Sequence, residues 1–394
     1  MSNIDSNAKI MIVTGEASGD LHGANLLRAM KRLTVKQGAP ETHFFGVGGQ
    51  RMVEEGCEIL IPSEEISVMG LVEVLGHFPV IWKAFQRLKK VLHEQKPQAL
   101  VLIDFPEFNL RLARQAKLAG VPVLYYVSPQ VWAWRRGRVR KIAELVDSLA
   151  AIFPFEPQLY NGLDINVQYV GHPLLDEFAE SVVEPEAKTR LQLPQDKKIV
   201  GLFPGSRRNE LHFMLDTIVE TARLIKQQHQ AVHFVVPVAE TLKNEQIAQR
   251  FGDNLPISFV DSADADIYTI ARCCDTVLSV SGTVTLQVAL AGTPMAILYK
   301  LSPISYGIGK HLVKVDHIGL ANIVAEKRIV PEFVQDDATP ETLASEIVKQ
   351  LTDADYAAQM RSDLSMVKQQ LGSPGCSGRV AAMLSQLITD ESSH

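Results

Sequence analysis

The stretch ALVLIDFPEFN, residues 99–109, delivers one carboxylate, Asp104, at the end of an uninterrupted apolar run. A carboxylate at the mouth of a buried strand is partly desolvated, which raises its basicity. That suits a general base taking a proton from a sugar hydroxyl. The competing reading is a helix cap or turn former, because Phe105–Pro106 follows directly. Three further strand ends are rich in glycine and hydroxyl groups. In IVTGEASGDLHGA, Gly15 opens a turn, and Ser18, Gly19 and Asp20 stand where a helix begins. Either Ser18 or Asp20 caps that helix, or its N–H groups receive an anionic or hydroxyl-rich ligand with Glu16 reaching toward it. In IVGLFPGSRRNE, Gly205 permits close backbone approach and Ser206 is a candidate cap. Arg207 offers a planar, permanently charged fork suited to a diphosphate, or is merely solvated. In TVLSVSGTVTLQ, Ser281, Gly282 and Thr283 close a strand and open an apolar helix whose N-terminus favours phosphate. Gln287, one turn on, has the reach to bond ribose hydroxyls; an ordinary turn with a threonine cap is the alternative. No GK[ST] and no GxGxxG accompanies these turns, so kinase and dehydrogenase readings fall away.

These residues need elements to hold them. Short apolar runs recur as KIMIVTG, FFGVGG, ALVLID, VPVLYYVS, AAIFPF and VQYVG, then as KIVGLFPG, HFVVPVA, ISFVD, TVLSVSG and PMAILYK. Continuous rather than alternating hydrophobicity predicts parallel strands buried on both faces. The stretches between, such as LHGANLLRAMKRL, carry apolar residues at helical spacing. The alternation predicts an α/β fold of two Rossmann-like, doubly wound parallel-sheet domains facing a central cleft, with a helical C-terminus. A chain of 394 residues also exceeds what one core usually supports. The acidic, proline-marked stretch 174–198 reads as the connector, part of it helical. The expected domains are therefore residues 1–173, residues 174–364, and C-terminal helices over 365–394 that pack back on the N-terminal domain of the same or a partner chain.

The net charge of −6 gives no general case for nucleic-acid binding. The four cysteines lack metal-ligand spacing and read as reduced thiols. The N-terminus has no basic n-region, and the longest uncharged stretch, Leu118 to Trp134, is broken by Gly120, Pro122 and Pro129, a poor membrane span. The DAD at Asp264–Asp266 precedes a helical pattern and reads as its cap, so no strand-terminal metal motif is expected and the metal-ligand set is none. One local feature runs against the acidic average: YYVSPQVWAWRRGRVRKI sets Trp132 and Trp134 beside Arg135, Arg136, Arg138, Arg140 and Lys141. Such a shelf suits a membrane interface or a phosphate or other anionic headgroup, with core packing as the alternative for Trp132. ISVMGLVEVLGHFPVIWKAF is too interrupted to span but suits dipping into lipid through Met69, Leu71, Phe78 and Trp82. His22, His172 and His317 read as structural.

The set GEASGDLHGA, IDFPEFN, YYVSPQVWAWRRGRV, VGHPLLD, LFPGSR and SGTVTLQVALAGTPM resembles the lipid-A-disaccharide synthases, from about Lys9 to the C-terminal helices. The resemblance implies a GT-B-type glycosyltransferase with no cofactor. It would join UDP-2,3-diacylglucosamine to 2,3-diacylglucosamine 1-phosphate, giving a β(1→6) disaccharide and UDP. An α-linked donor and a β-linked product make one in-line displacement the simplest route. The resemblance also implies a cytoplasmic protein peripheral on the inner membrane, and admits a homodimer exchanging C-terminal parts. Carried over by position, Asp104 is the base, Glu16 and Ser18 contact sugar or phosphate, Arg207 the diphosphate, and Asn322 the donor. Two positions depart from the family pattern: Gln287 stands where Glu is usual, and Ala321 replaces the proline usual before Asn322. Two rival readings share the layout, a UDP-N-acetylglucosamine epimerase-like enzyme and a non-catalytic lipid- or nucleotide-binding protein at the membrane.

Overall fold

The computed structural model describes residues 8–38, 41–66, 71–129, 131–134, 137–205, 208–238, 244–301 and 316–391. The chain divides into two compact units, Met1–Asp176 with Ser373–His394, and Glu177–Gly372. Unit 1 is built on a seven-stranded sheet of β1 (Lys9–Thr14), β2 (His43–Gly48), β3 (Glu58–Pro62), β4 (Ala99–Ile103), β5 (Val123–Tyr126), β6 (Ser148–Ala151) and β7 (Asn166–Tyr169). The strands lie in the order β3-β2-β1-β4-β5-β6-β7, every neighbouring pair parallel. Unit 2 holds β8 (Lys198–Phe203), β9 (Val232–Val238), β10 (Ile257–Asp261), β11 (Thr276–Val280), β12 (Met295–Tyr299) and β13 (Glu332–Val334), in the order β10-β9-β8-β11-β12-β13 and again parallel. In both sheets the winding reverses once, between β1 and β4 and between β8 and β11. Ligands of open α/β sheets bind at such reversals, outside the carboxyl ends of the strands.

The strands form because they are apolar on both faces. Ala99–Ile103 is wholly buried, and each of its larger side chains contributes about 1.5–3 kcal/mol on leaving water. One face of the unit 1 sheet, with Met11, Val13, Leu100, Leu102 and Tyr125, packs against α3 (Leu71–Gln95) and α4 (Pro106–Ala119), which follow α1 (Ala17–Gln37) and α2 (Gln50–Glu54). Pro106 suits the first turn of α4, and Gly120, at φ 69°, ends it in the left-handed region that favours glycine. Beyond it come α5 (Arg138–Leu145) and α6 (Pro173–Glu180). The other face is covered by α1 and by the last helix of the chain, Cys376–Glu391. Asp176 fastens that last helix: its carboxylate accepts from the amides of Gly375 (2.5 Å), Cys376 (3.1 Å) and Ser377 (3.1 Å). Arg379 then donates to the Val170 carbonyl at 2.7 Å.

Each of the eleven apolar runs expected to be a strand overlaps one, though AAIFPF supplies only Ala150 and Ala151 to β6. The sequence reading missed β3 and β13, which lie at sheet edges and are only partly buried. Among the described residues no helix is long and apolar enough to cross a membrane.

Candidate functional site

In unit 1 the register pairs Thr14 of β1 with Ile103 of β4, so Gly15 and Asp104 leave the sheet side by side. Their loops touch. A Cβ on Gly15 would sit 2.3 Å from the Phe105 ring, so a residue with no side chain is required there. Asp104 and Phe105 are both in the left-handed region, at φ 49° and 47°, which costs a non-glycine residue about 1–2 kcal/mol. The conformation is held from several sides. The Asp104 amide donates to the Tyr126 carbonyl at 3.2 Å. Its own carbonyl accepts from Asn109 Nδ2 at 2.7 Å and from the Tyr125 hydroxyl at 2.7 Å. Asn109 and Tyr125 are both fully buried. Burial, and next the charge of Asp104, push the Tyr125 phenol well above its ordinary pKa, so it stays a donor. The N-cap of α4 is Phe105, which leaves Asp104 one residue outside the helix and half-buried.

The turn beside it carries the other expected residues. Glu16 is half-buried at the N-cap position of α1 without capping it through its side chain, Ser18 is exposed, and Gly19 is buried against Thr14. The cap expected from Ser18 or Asp20 is therefore absent from α1. Asp20 instead serves the neighbouring α2, its carboxylate accepting from the amides of Gly49 (2.6 Å), Arg51 (3.1 Å) and Met52 (3.3 Å).

Trp132 needs a correction. It is 8% exposed and packs edge-on against Phe153 (5.9 Å between centroids) and Phe155 (5.4 Å), so of the two readings core packing holds and it is no open shelf. Beneath it Glu156 is 2% exposed and accepts from the amides of Ile152 and Phe153 at 2.9 and 3.0 Å. Burial pushes its carboxyl up to about 7, against those two amides. The Trp132 indole N–H lies close enough to favour the charge, but short of hydrogen-bond geometry. The side chain of Trp134, together with Arg135 and Arg136, falls outside the described residues.

In unit 2, β11 and β8 pair Ser279 with Phe203, which brings the Pro204–Gly205 and Ser281–Thr283 turns together. Between them opens a cavity of about 400 Å³, large enough for a small ligand. Gly205, Ser281, Gly282, Thr283 and Gln287 all line it. Gly205, at φ 94°, adopts a conformation that side chains rarely take and leaves backbone at the wall. The helix α8 (Thr283–Ala291), which follows α7 (Ile267–Cys273), has Gly282 at its N-cap and no side-chain cap, so the threonine-cap alternative fails and its first amides point their dipole at the cavity. Asp266 also lines the wall, but its carboxylate caps α7 by accepting from the Thr269 amide at 2.6 Å. The DAD thus acts as a cap, as expected. Gln287 lies close enough to the buried Tyr268 to favour its phenolate, a neighbour the sequence reading did not name. Ser206 and Arg207 lie outside the described residues.

Asn322 belongs elsewhere. It is fully buried; its Nδ2 donates to the Val330 carbonyl and to Glu332, and its Oδ1 accepts from the amides of Ile329 and Val330, at 2.7–2.9 Å throughout. With every polar atom of its side chain engaged, it anchors the 329–332 segment and does not line the cavity. Tyr125 and Asn109 were also missed. Asn109 stands five residues after Asp104 in the quoted motif, a usable signal, whereas Tyr125 is hidden inside an apolar run. Among the described residues no cluster of His, Cys, Asp and Glu is arranged to hold a metal ion.

Comparisons follow the same lines. The family profile described as lipid-A-disaccharide synthetase matches residues 10–384. A lipid-A-disaccharide synthase of Syntrophotalea carbinolica is 57% identical over 99% of this chain and 98% of its own. One from Trichlorobacter lovleyi is 49% identical over 96% and 97%. Among solved structures, a UDP-GlcNAc 2-epimerase from Neisseria meningitidis bound to UDP-GlcNAc superposes with a TM-score of 0.62 at 11% identity, covering 97% of this chain and all of that one. At that identity the likeness concerns the fold, which is of GT-B type.

Proposed function

The chain belongs to the lipid-A-disaccharide synthase family, and on that premise we propose how its residues divide the work of a UDP-sugar glycosyltransferase that forms the lipid A disaccharide. The donor is UDP-2,3-diacylglucosamine and the acceptor 2,3-diacylglucosamine 1-phosphate. Asp104 takes the proton from the acceptor's 6-hydroxyl as that oxygen attacks the anomeric carbon from the face opposite UDP. The anomeric carbon–oxygen bond to UDP breaks, its electron pair leaves with the nucleotide, and the configuration inverts. The transition state resembles an oxocarbenium ion, as in inverting glycosyl chemistry generally. Charge growing on UDP is met by the backbone amides opening α8 and by Arg207, while Gln287 bonds the ribose. Glu16 and Ser18 orient the acceptor. The observation that supports this division is that each unit carries its assigned residues at its own winding reversal: Asp104 beside the Glu16 turn, and Gly205 beside Ser281–Thr283.

Incubating the purified protein with both acylated substrates tests the reaction. UDP release together with a β(1→6) disaccharide is expected, and an epimerised sugar without a new glycosidic bond would refute it. Replacing Asp104 by Asn should cut turnover about 10²–10⁴-fold, the usual share of a general base, with UDP affinity unchanged. An equal loss of both would make Asp104 structural.

The acylated substrates also bear on location. The helix α3 exposes Phe78 (54%) and Trp82 (50%), their rings stacked at 6.3 Å. Exposed Lys83, Arg87 and Lys90 share this helix, with exposed Arg111, Arg114 and Lys117 on α4 and Arg140 and Lys141 on α5. Aromatic side chains beside clustered cations suit peripheral attachment to the cytoplasmic face of an anionic membrane. Sedimentation with anionic vesicles should fall strongly in the Phe78→Ala/Trp82→Ala variant, and equal sedimentation would discard this surface. A homodimer exchanging Ser373–His394 belongs to the same proposal; a mass of one chain by light scattering would exclude it.

A further inference from the structure

The Asp104 peptide is held by two side chains that the transfer reaction has not yet used. Tyr125 reaches it from β5, and Asn109 from the first turn of α4. Both donate to the same carbonyl oxygen at 2.7 Å, so both of its lone pairs are filled by side chains. Both donors are fully buried, so water does not replace either one. The bonds go to the Asp104 backbone carbonyl. They fix where its Cα–Cβ bond points, while leaving its carboxylate oxygens to other partners. The conformation they hold is the one a chain avoids, two successive non-glycine residues in the left-handed region. Such strain persists where the surroundings over-determine it. Here it turns residue 104 away from the strand direction just before Pro106 opens the helix. We infer that Tyr125 and Asn109 are positioning residues that aim the Asp104 side chain at the reacting hydroxyl.

This rests on the reading of Asp104 as the base, and the test keeps the two apart. Tyr125→Phe removes one donor and keeps the ring. In the full chain it should lower kcat about 10- to 100-fold, the scale of a misplacement near 1 Å. KM for both substrates and the Kd for UDP should stay within about twofold, since the donors touch the peptide rather than the ligands. The acid limb of the pH–rate profile should not move, because no bond to the carboxylate is lost. In the Asp104→Asn background the same change should alter the residual rate less than about twofold, as there is no base left to aim. Asn109→Ala, run in parallel, should show the same split. Wild-type kcat in Tyr125→Phe, or equal losses in both backgrounds, would overturn the inference and leave the base reading standing. Loss of cooperative folding in both variants would likewise overturn it, by making the pair structural. Undiminished turnover in Asp104→Asn would instead sink the base reading, and the inference with it.

Discussion

Glu156 shows what a single buried acid does to the protein around it. Its ionised form is desolvated, and two backbone amides only partly offset that. The carboxyl therefore holds its proton up to about 7, against 4.5 when free. Between those two values the folded state binds more protons than the unfolded one, so stability must fall as pH rises through that window. At one pKa unit per 1.36 kcal/mol the loss is about 2–4 kcal/mol. Glu156→Gln keeps an oxygen for the two amides and abolishes the titration. Urea unfolding at pH 5 and pH 8 should show the variant gaining on the parent by that amount at the higher pH; an unchanged difference would place the titration elsewhere. The histidines act in the opposite sense. Burial lowers His22 to about 4 and His172 to about 3, the latter with a further push from His22. Both are neutral near pH 7, and they cost stability as pH falls below 6.5.

At the scale of elements, helix termini divide into those the protein closes and those it leaves available. The Asp20 carboxylate closes α2, Asp266 closes α7 and Asp176 closes the helix Cys376–Glu391. The start of α8, by contrast, has no side-chain cap and faces the unit 2 cavity. Asp20→Ala should therefore cost about 1–2 kcal/mol of stability, the usual range for a lost cap, without weakening UDP binding. Thermal unfolding and nucleotide titration of the same sample check both halves, and a weakened Kd would show that Asp20 serves the ligand. Strand ends follow a similar division. The central strands β1, β4, β8 and β11 are wholly or nearly wholly buried, and the turns that follow them hold the candidate residues.

At the scale of the molecule, unit 2 is one continuous segment, Glu177–Gly372, with its own core and its own cavity, whereas unit 1 is completed by residues from the far end of the chain. Expressed alone, residues 177–372 should fold and bind UDP with a Kd within a few-fold of the full chain's, read by calorimetry. Residues 1–176 alone would lack the helix that covers α1 and that Asp176 and Val170 fasten. That fragment should lose cooperative unfolding, and a sharp transition in it would refute the dependence.

The residues alone determined the α/β class, eleven of the strands and the glycine-rich turns, because a strand buried on both faces writes an uninterrupted apolar run. Of the four edge strands, all only partly buried, β7 and β10 still carried a legible apolar run whereas β3 and β13 did not, because partial burial permits such a run without requiring it. The motifs also placed Asp104, Gly205, Ser281, Gly282 and Thr283 at strand ends, with Gln287 one helical turn on, because turn chemistry is local. What a side chain does with its polar atoms is decided by what the fold brings beside it, often from far along the chain. Asp20 caps a helix thirty residues on, Trp132 is buried edge-on against Phe153 and Phe155, and Asn322 is spent on the 329–332 segment. Tyr125 reads in the sequence as one more apolar strand residue; tertiary packing alone sets its hydroxyl on the Asp104 carbonyl.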